Sequence, residues 1–181
     1  MGKLSVMFSW FVSLVVLLGA AALASAHAAP PLEQRDLTNP ATITAWLKQN
    51  AATADKARAK QFFDAALKDK KRGAWGRAGK GFGESAQFYP TPNAITEYAN
   101  AALRSGGERR AREKTYAQHS QADMTHFEAL YRSALAADAI LNTLSADENK
   151  QVRHNIDCLT IFIQSQKILP DCQPLKTYGL L

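Results

Sequence analysis

The feature that most constrains the fold is the spacing of apolar residues, which recur every three or four positions through most of the chain. This spacing places apolar side chains on one face of an α-helix. The clearest stripes are Phe62, Phe63, Ala66 and Leu67; Ile95, Tyr98, Ala99, Ala102 and Leu103; Phe127, Leu130, Tyr131, Ala134 and Leu135; and Val152, Ile156, Leu159 and Ile163. No stretch alternates apolar and polar residues as a strand does. The sequence therefore predicts an all-α fold.

Capping and breaking residues divide these stripes into separate helices. Asn39-Pro40 and Thr91-Pro92 are each typical of an N-cap followed by proline in the first turn. Ser145 and Glu148 form a capping-box pattern. Glycines predict helix ends at Gly73 and at Gly106-Gly107. The helices expected from these signals cover 39–49, 54–70, 75–89, 92–105, 108–121, 124–141 and 146–167.

The first 28 residues read as a targeting segment rather than as part of the fold. Lys3 is followed by an apolar run from Val6 to Leu18 and then by small residues, which is typical of a secretory signal peptide. Cleavage is expected after Ala26 or after Ala28. An uncleaved signal anchor is the alternative, because the run to Ala24 approaches the ~20 residues of a membrane helix. We therefore expect a periplasmic or secreted protein.

The remaining chain is predicted to have three parts. Residues 29–38, with two prolines, form an extended lead-in. Residues 39–167 form the helical domain, and 168–181 form an irregular C-terminal tail. The two cysteines, Cys158 and Cys172, predict a disulfide that ties this tail to the last helix, because an even pair in an exported protein is normally oxidised.

The net charge of the chain limits the classes of partner that it is expected to bind. The formal net charge is +6, which permits contact with an anionic envelope surface without requiring it. A nucleic-acid partner is not expected, because the sequence has neither a known binding module nor a basic face with stacking aromatics.

Few residues suggest catalysis or metal binding. His119, Asp123 and His126 are spaced four and three apart, and on one unbroken helix they could hold a metal. The predicted break near Asp123, which makes this residue an N-cap, takes them out of register. His154 and Cys158 supply only two ligands. With no hydrolase or metalloprotease motif, we expect no enzymatic activity, metal or cofactor.

The predicted helices also recur in pairs. Gly73 and Gly107 are 34 residues apart, and the same period relates Phe82 to Tyr116. A helix–turn–helix period of this length is typical of a solenoid. The chain resembles the tetratricopeptide repeat family over residues 59–160, through Ala66, Gly73, Ala78, Phe82 and Pro90 in the first unit, Asn93, Ala94, Gly107 and Tyr116 in the second, and Ala134 and Ala146 in the third. It departs from the family pattern at Asn100, Arg112, Met124 and Leu141.

The resemblance implies antiparallel helical hairpins stacked as a short solenoid, closed by a C-terminal helix. The alternative is an ordinary bundle of five to seven helices. Stacking with this period would bring equivalent turns to one edge, which would be positively charged, and would align the first helices of the pairs along a concave groove. The partner-binding residues expected on this groove and edge are Lys60, Phe63, Lys70, Lys71, Arg72, Arg77, Glu97, Arg104, Arg109 and Arg110.

Three functions follow as hypotheses. The first is an exported, non-catalytic binding or scaffold module that contacts a protein or other envelope partner through the groove or the basic edge. The second is a periplasmic chaperone or stress-adaptation protein, since Leu144 to Glu148 is similar to a short motif of such proteins. The third is a metal-binding protein or enzyme that uses His119, Asp123 and His126, or His154.

Overall fold

The computed structural model describes residues 28–113 and 120–181. After a 3₁₀ helix (Gln34–Thr38), the α-helices are α1 (Pro40–Asn50), α2 (Lys56–Lys71), α3 (Trp75–Phe88), α4 (Pro92–Glu113), α5 (Ser120–Leu141), α6 (Ala146–Ser165) and α7 (Gln173–Tyr178). No residue in the described ranges belongs to a strand. The all-α prediction is confirmed. The predicted signal segment falls almost entirely outside the described residues, as does Tyr116.

Each helix from α2 to α6 packs against the next one along the chain. Both chain ends fold back onto this series. Helix α1 packs on α5, the 3₁₀ helix contacts α3 and α5, and α7 contacts α4 and α6. Because of these returns, α4 and α5 lie at the centre of the molecule and supply many of its fully buried side chains, among them Ile95, Leu103, Met124, Leu130 and Tyr131.

Among the described helices, none combines the length and the apolar character that crossing a membrane requires.

Side chains satisfy the first backbone N–H groups of several helices. Asn39 Oδ1 accepts from the backbone N–H groups of Ala41 and Thr42 at 3.1 and 3.2 Å. Asp55 caps α2 in the same way, and Thr91 Oγ1 accepts from the Ala94 N–H at 3.2 Å. The caps predicted at Asn39 and Thr91 are therefore confirmed. They could be predicted from the sequence because a cap depends only on residues within one helical turn.

The capping box at the start of α6 is also confirmed. Glu148 Oε2 accepts from the Ser145 N–H and hydroxyl, both at 2.8 Å, and Ser145 Oγ accepts from the Glu148 N–H at 3.3 Å. The bonds from the Ser145 backbone and hydroxyl hold the pKa of Glu148 below its ordinary value. Their contribution is complete above the ordinary glutamate pKa and is lost as the pH falls through the lowered one.

Replacing Ser145 with alanine is expected to reduce the free energy of unfolding by about 1 kcal/mol, because the Glu148 N–H loses its acceptor. Urea unfolding at neutral pH measures this change, and an NMR titration should show the Glu148 pKa moving towards its ordinary value. Ser165→Ala, at the far end of α6, is the control. A Glu148 pKa unchanged by Ser145→Ala would contradict the described geometry.

The glycines predicted to end a helix at Gly106-Gly107 lie inside α4, and this expectation is wrong. Helix α4 continues to Glu113, so residues 108–113 belong to it and do not start a separate helix; 114–119 of the predicted helix lie outside the described residues. A Cβ at Gly107 would lie 2.6 Å from the Thr177 carbonyl oxygen, and one at Gly106 would lie 2.8 Å from the Tyr178 ring. These glycines let α7 approach α4. Of the two glycines that were predicted to occupy equivalent turns, Gly73 lies in a turn, at φ 72°, and Gly107 does not, so the two are not equivalent.

Two segments that were predicted to lack helices also contain them. The extended lead-in ends in the 3₁₀ helix, whose Leu37 is fully buried. The C-terminal tail contains α7, which buries Leu175 and Tyr178. The predicted disulfide is present, with the Cα atoms of Cys158 and Cys172 5.6 Å apart. These short segments are helical because their apolar residues pack on distant helices, which their own sequences do not reveal.

Candidate functional site

A groove runs between α2, α4 and α6, and we call it the amide groove. Its volume is about 320 Å³, and half of its lining residues are polar but uncharged. It is lined by Phe63 of α2, by Asn93, Thr96, Glu97 and Asn100 of α4, by Leu144 before α6, and by Glu148, Gln151, Val152 and Asn155 of α6. Phe63 and Asn93 also line an adjoining depression of about 430 Å³, to which Lys60 contributes.

Partly buried hydrogen bonds hold the amides of the groove in place. The Tyr131 hydroxyl donates to Asn100 Oδ1 at 2.6 Å, and Gln151 Nε2 donates to Asn155 Oδ1 at 2.9 Å. Burial raises the pKa of Tyr131 far above its ordinary value, so the phenol stays protonated and remains a donor. The exposed amides of Asn93 and Gln151 offer both donors and acceptors to a ligand.

The carboxylates around the groove have local partners. Lys70 Nζ lies 2.6 Å from Glu97 Oε2 and so joins α2 to α4. Lys60 pairs with Asp64 at 2.6 Å, and Glu148 is used in the capping box. The groove therefore presents little net charge. One lining atom, Thr96 Oγ1, is buried without a hydrogen-bond partner among the described residues.

The turn between α5 and α6 is held by Asp138, a residue that the sequence analysis did not identify. Its Oδ1 accepts from the Thr143 and Leu144 N–H groups at 3.0 and 2.9 Å, and its Oδ2 accepts from Asn149 Nδ2 at 2.8 Å. These bonds position Leu144 and the start of α6 at the groove. The sequence signal that could have identified Asp138 is its position, since it is a carboxylate within an apolar stripe, one turn before the end of a helix.

The sequence-predicted binding residues separate into distinct places. Lys60, Phe63 and Glu97 line the groove or its extension, and Lys70 is beside them. Lys71 and Arg72 are exposed at the end of α2. Arg77 pairs with Asp69 at 3.3 Å, and Arg104 with Glu108 at 3.5 Å. Arg109 is exposed on α4.

Arg110 does not belong to an exposed basic edge. Its side chain is only 9% exposed, and its guanidinium lies over the Tyr178 ring, 5.1 Å from the centroid. The Tyr178 hydroxyl donates to Asp123 Oδ2. Burial, with Asp123 next, raises the pKa of Tyr178 to about 12. Arg110 was misassigned because the helix that covers it, α7, was not predicted.

The candidate metal ligands are engaged elsewhere or lie apart. Helix α5 begins at Ser120, so Asp123 is in its first turn and is not its N-cap. Burial lowers the pKa of His126, which Asp123 partly offsets. His154 faces Asp171, and Cys158 is in the disulfide. His119 falls outside the described residues. Within the described ranges, no three or more His, Cys, Asp or Glu side chains are grouped to hold a metal.

Comparison with known proteins gave no match to a family model, to a curated protein or to a solved structure. The basis for a functional proposal is therefore the chemistry of the amide groove and of the charges around it.

Proposed function

We propose that the protein is an exported, non-catalytic binding module whose amide groove holds an extended polypeptide segment of a partner protein. The observation that carries this proposal is the lining of the groove, in which neutral amides from α4 and α6 converge and are held by partly buried hydrogen bonds. An extended peptide exposes an unpaired N–H and C=O at each residue, and these groups match amide side chains in both donor and acceptor character.

The proposal includes a short stack of helical hairpins of the tetratricopeptide type. Its support is that alternate helices, α2, α4 and α6, share one groove, as the first helices of successive pairs do in such stacks. The close approach of α2 and α3 also fits, since a Cβ at Gly81 would lie 3.0 Å from the Ala66 Cβ. Phe63 is anchored by its ring contact with Phe82, at 5.1 Å between centroids.

Charge supports the same interpretation. Lys68, Lys71 and Arg72, at the end of α2, form no ion pair with any described carboxylate and are exposed. We propose that this remnant of the predicted basic edge attracts an acidic partner over a distance, while the neutral groove makes the short-range contacts. Export to the periplasm or the exterior is part of the proposal, and the disulfide supports it.

A library of random 12-residue peptides, displayed on phage, tests the groove. We expect the disulfide-bonded protein to select peptides, and Gln151→Arg to weaken their binding by tenfold or more, because the longer cationic side chain fills the groove. Gln164→Arg is the matched control, since Gln164 is also exposed on α6 but does not line the groove. The absence of selected peptides, or equal loss in both variants, would refute the proposal.

A further inference from the structure

A second cleft, separate from the amide groove, lies between α3 and α4. Its volume is about 560 Å³, and it shares no lining residue with the groove. Its polar and aromatic side chains come from Gln34 of the 3₁₀ helix, from Trp75, Lys80, Glu84 and Gln87 of α3, and from Tyr98, Ser105 and Arg109 of α4. The size falls within the range of small-molecule sites, which is roughly 300–1,000 Å³.

Among the lining side chains two cations, Lys80 and Arg109, face one carboxylate, Glu84, and this excess of positive charge favours an anion. Arg109 is exposed and forms no ion pair with a described carboxylate. Lys80 is 3.7 Å from Glu84, the longest Lys–carboxylate separation among the described ion pairs, and its side chain is 78% exposed. Arg104 lies beside the cleft, 5.9 Å from the Trp75 ring centroid, but its charge is paired with Glu108 at 3.5 Å. A carboxylate ligand placed near Arg109 would gain a charge-assisted, geometrically matched partner.

The remaining lining has the chemistry of sugar recognition. Trp75 is half-buried and supplies a flat apolar surface. Gln34 Nε2 donates to the Tyr98 hydroxyl at 2.7 Å, so this amide is held in place. Gln87 and Ser105 add further donors and acceptors. A pyranose ring combines an apolar C–H face with hydroxyl groups, and it would match the indole and these polar groups together.

The floor of the cleft contains glycines that helix packing does not require. A Cβ at Gly76 would meet only Ser105 Oγ, at 3.4 Å, and the nearest atom to a Cβ at Gly79 would be 3.6 Å away. Both are ordinary contact distances, yet glycine costs a helix about 1 kcal/mol relative to alanine. An open floor beneath a ligand accounts for glycine at these two positions.

We propose that the cleft between α3 and α4 binds an acidic saccharide of one or two units, with its ring on Trp75 and its carboxylate at Arg109. The charges and the cavity carry this inference, and the glycines of the floor agree with it. Binding here does not depend on peptide binding in the amide groove, so failure of one proposal leaves the other standing.

Calorimetric titration of the full, disulfide-bonded chain tests this site with digalacturonic acid as the acidic probe and galactobiose as its neutral counterpart. We expect the acidic disaccharide to bind at least tenfold more tightly, and more weakly as salt is added. Arg109→Gln should reduce its affinity at least tenfold and remove the preference over the neutral sugar. Trp75→Ala should weaken both sugars.

Filling the floor provides a variant that is not expected to unfold. Gly76→Leu should abolish saccharide binding and yet raise the melting temperature, because leucine favours a helix more than glycine does. Ala65→Leu, at an exposed position on α2, is the control and should leave binding unchanged. Three outcomes would each overturn the proposal: equal affinity for the two sugars, no binding of either sugar, or saccharide binding by the Gly76→Leu variant that equals that of the natural chain. So would tetra-aspartate binding as tightly as the acidic sugar, which would indicate an acidic peptide site.

Discussion

Replacing both Cys158 and Cys172 with alanine is expected to lower the free energy of unfolding by about 3 kcal/mol. The bridge spans 14 residues of sequence and joins α6 to the segment that leads into α7. Without it, the unfolded chain recovers the conformational entropy that the closed loop removes. Both cysteines are also fully buried, so their packing changes as well.

Urea unfolding of the double variant beside the chemically reduced natural chain separates these two effects. The reduced chain keeps the sulfur atoms and loses only the covalent bond, so its loss of stability isolates the bond's contribution. Hydrogen exchange should show the amides of α7 among the first to lose protection. A loss below about 1 kcal/mol in the reduced chain would mean that the bridge adds little to the packing of α7.

Replacing Gly107 with alanine is expected to lower the free energy of unfolding by about 2 kcal/mol, within the range for overpacking. The new Cβ would be placed 2.6 Å from the Thr177 carbonyl oxygen and 3.2 Å from the backbone of Tyr178. Neither obstacle is a side chain that can rotate away. Helix α7 must therefore shift and give up part of the burial of Leu175 and Tyr178, which outweighs the gain of about 1 kcal/mol in helix propensity.

The same substitution at Gly76 serves as the matched control. Its Cβ would meet only the Ser105 hydroxyl oxygen, at 3.4 Å, so Gly76→Ala should stabilise the protein by up to about 1 kcal/mol. Thermal unfolding of the two variants should therefore show shifts of opposite sign. Stabilisation of both would indicate that α7 does not pack against Gly107 as described.

Local signals in the sequence predicted what local interactions determine. The helical stripes, the caps at Asn39 and Thr91 and the capping box of Ser145 depend on residues within one or two turns. Gly107 shows where this reasoning ends. A glycine inside a helical stripe can end the helix or can let another helix pack closely against it. At Gly107 the packed helix is α7, which lies some seventy residues later in the chain.

The residues of the candidate site likewise include some that the sequence predicted and others that it did not. Phe63 and Glu97 were predicted to face a groove from the repeat-like register of α2 and α4, and they line one. Gln151 and Asn155 were not predicted, because the contribution of α6 depends on how the third pair is placed. Asp138 and the burial of Arg110 depend on tertiary contacts that no spacing in the sequence encodes. The cleft between α3 and α4 was not predicted, because its lining also includes Gln34 of the 3₁₀ helix, which lies far away in the sequence.

The packing of α1 on α5 has a consequence for how the chain acquires its structure during synthesis. The apolar residues of α1, Ile43, Trp46 and Leu47, are buried in the finished protein, but their partner helix emerges only after α2, α3 and α4. The apolar side chains of α1 therefore cannot pack on α5 until α5 has been synthesised. This long loop closure favours slower folding than a simple succession of hairpins would give.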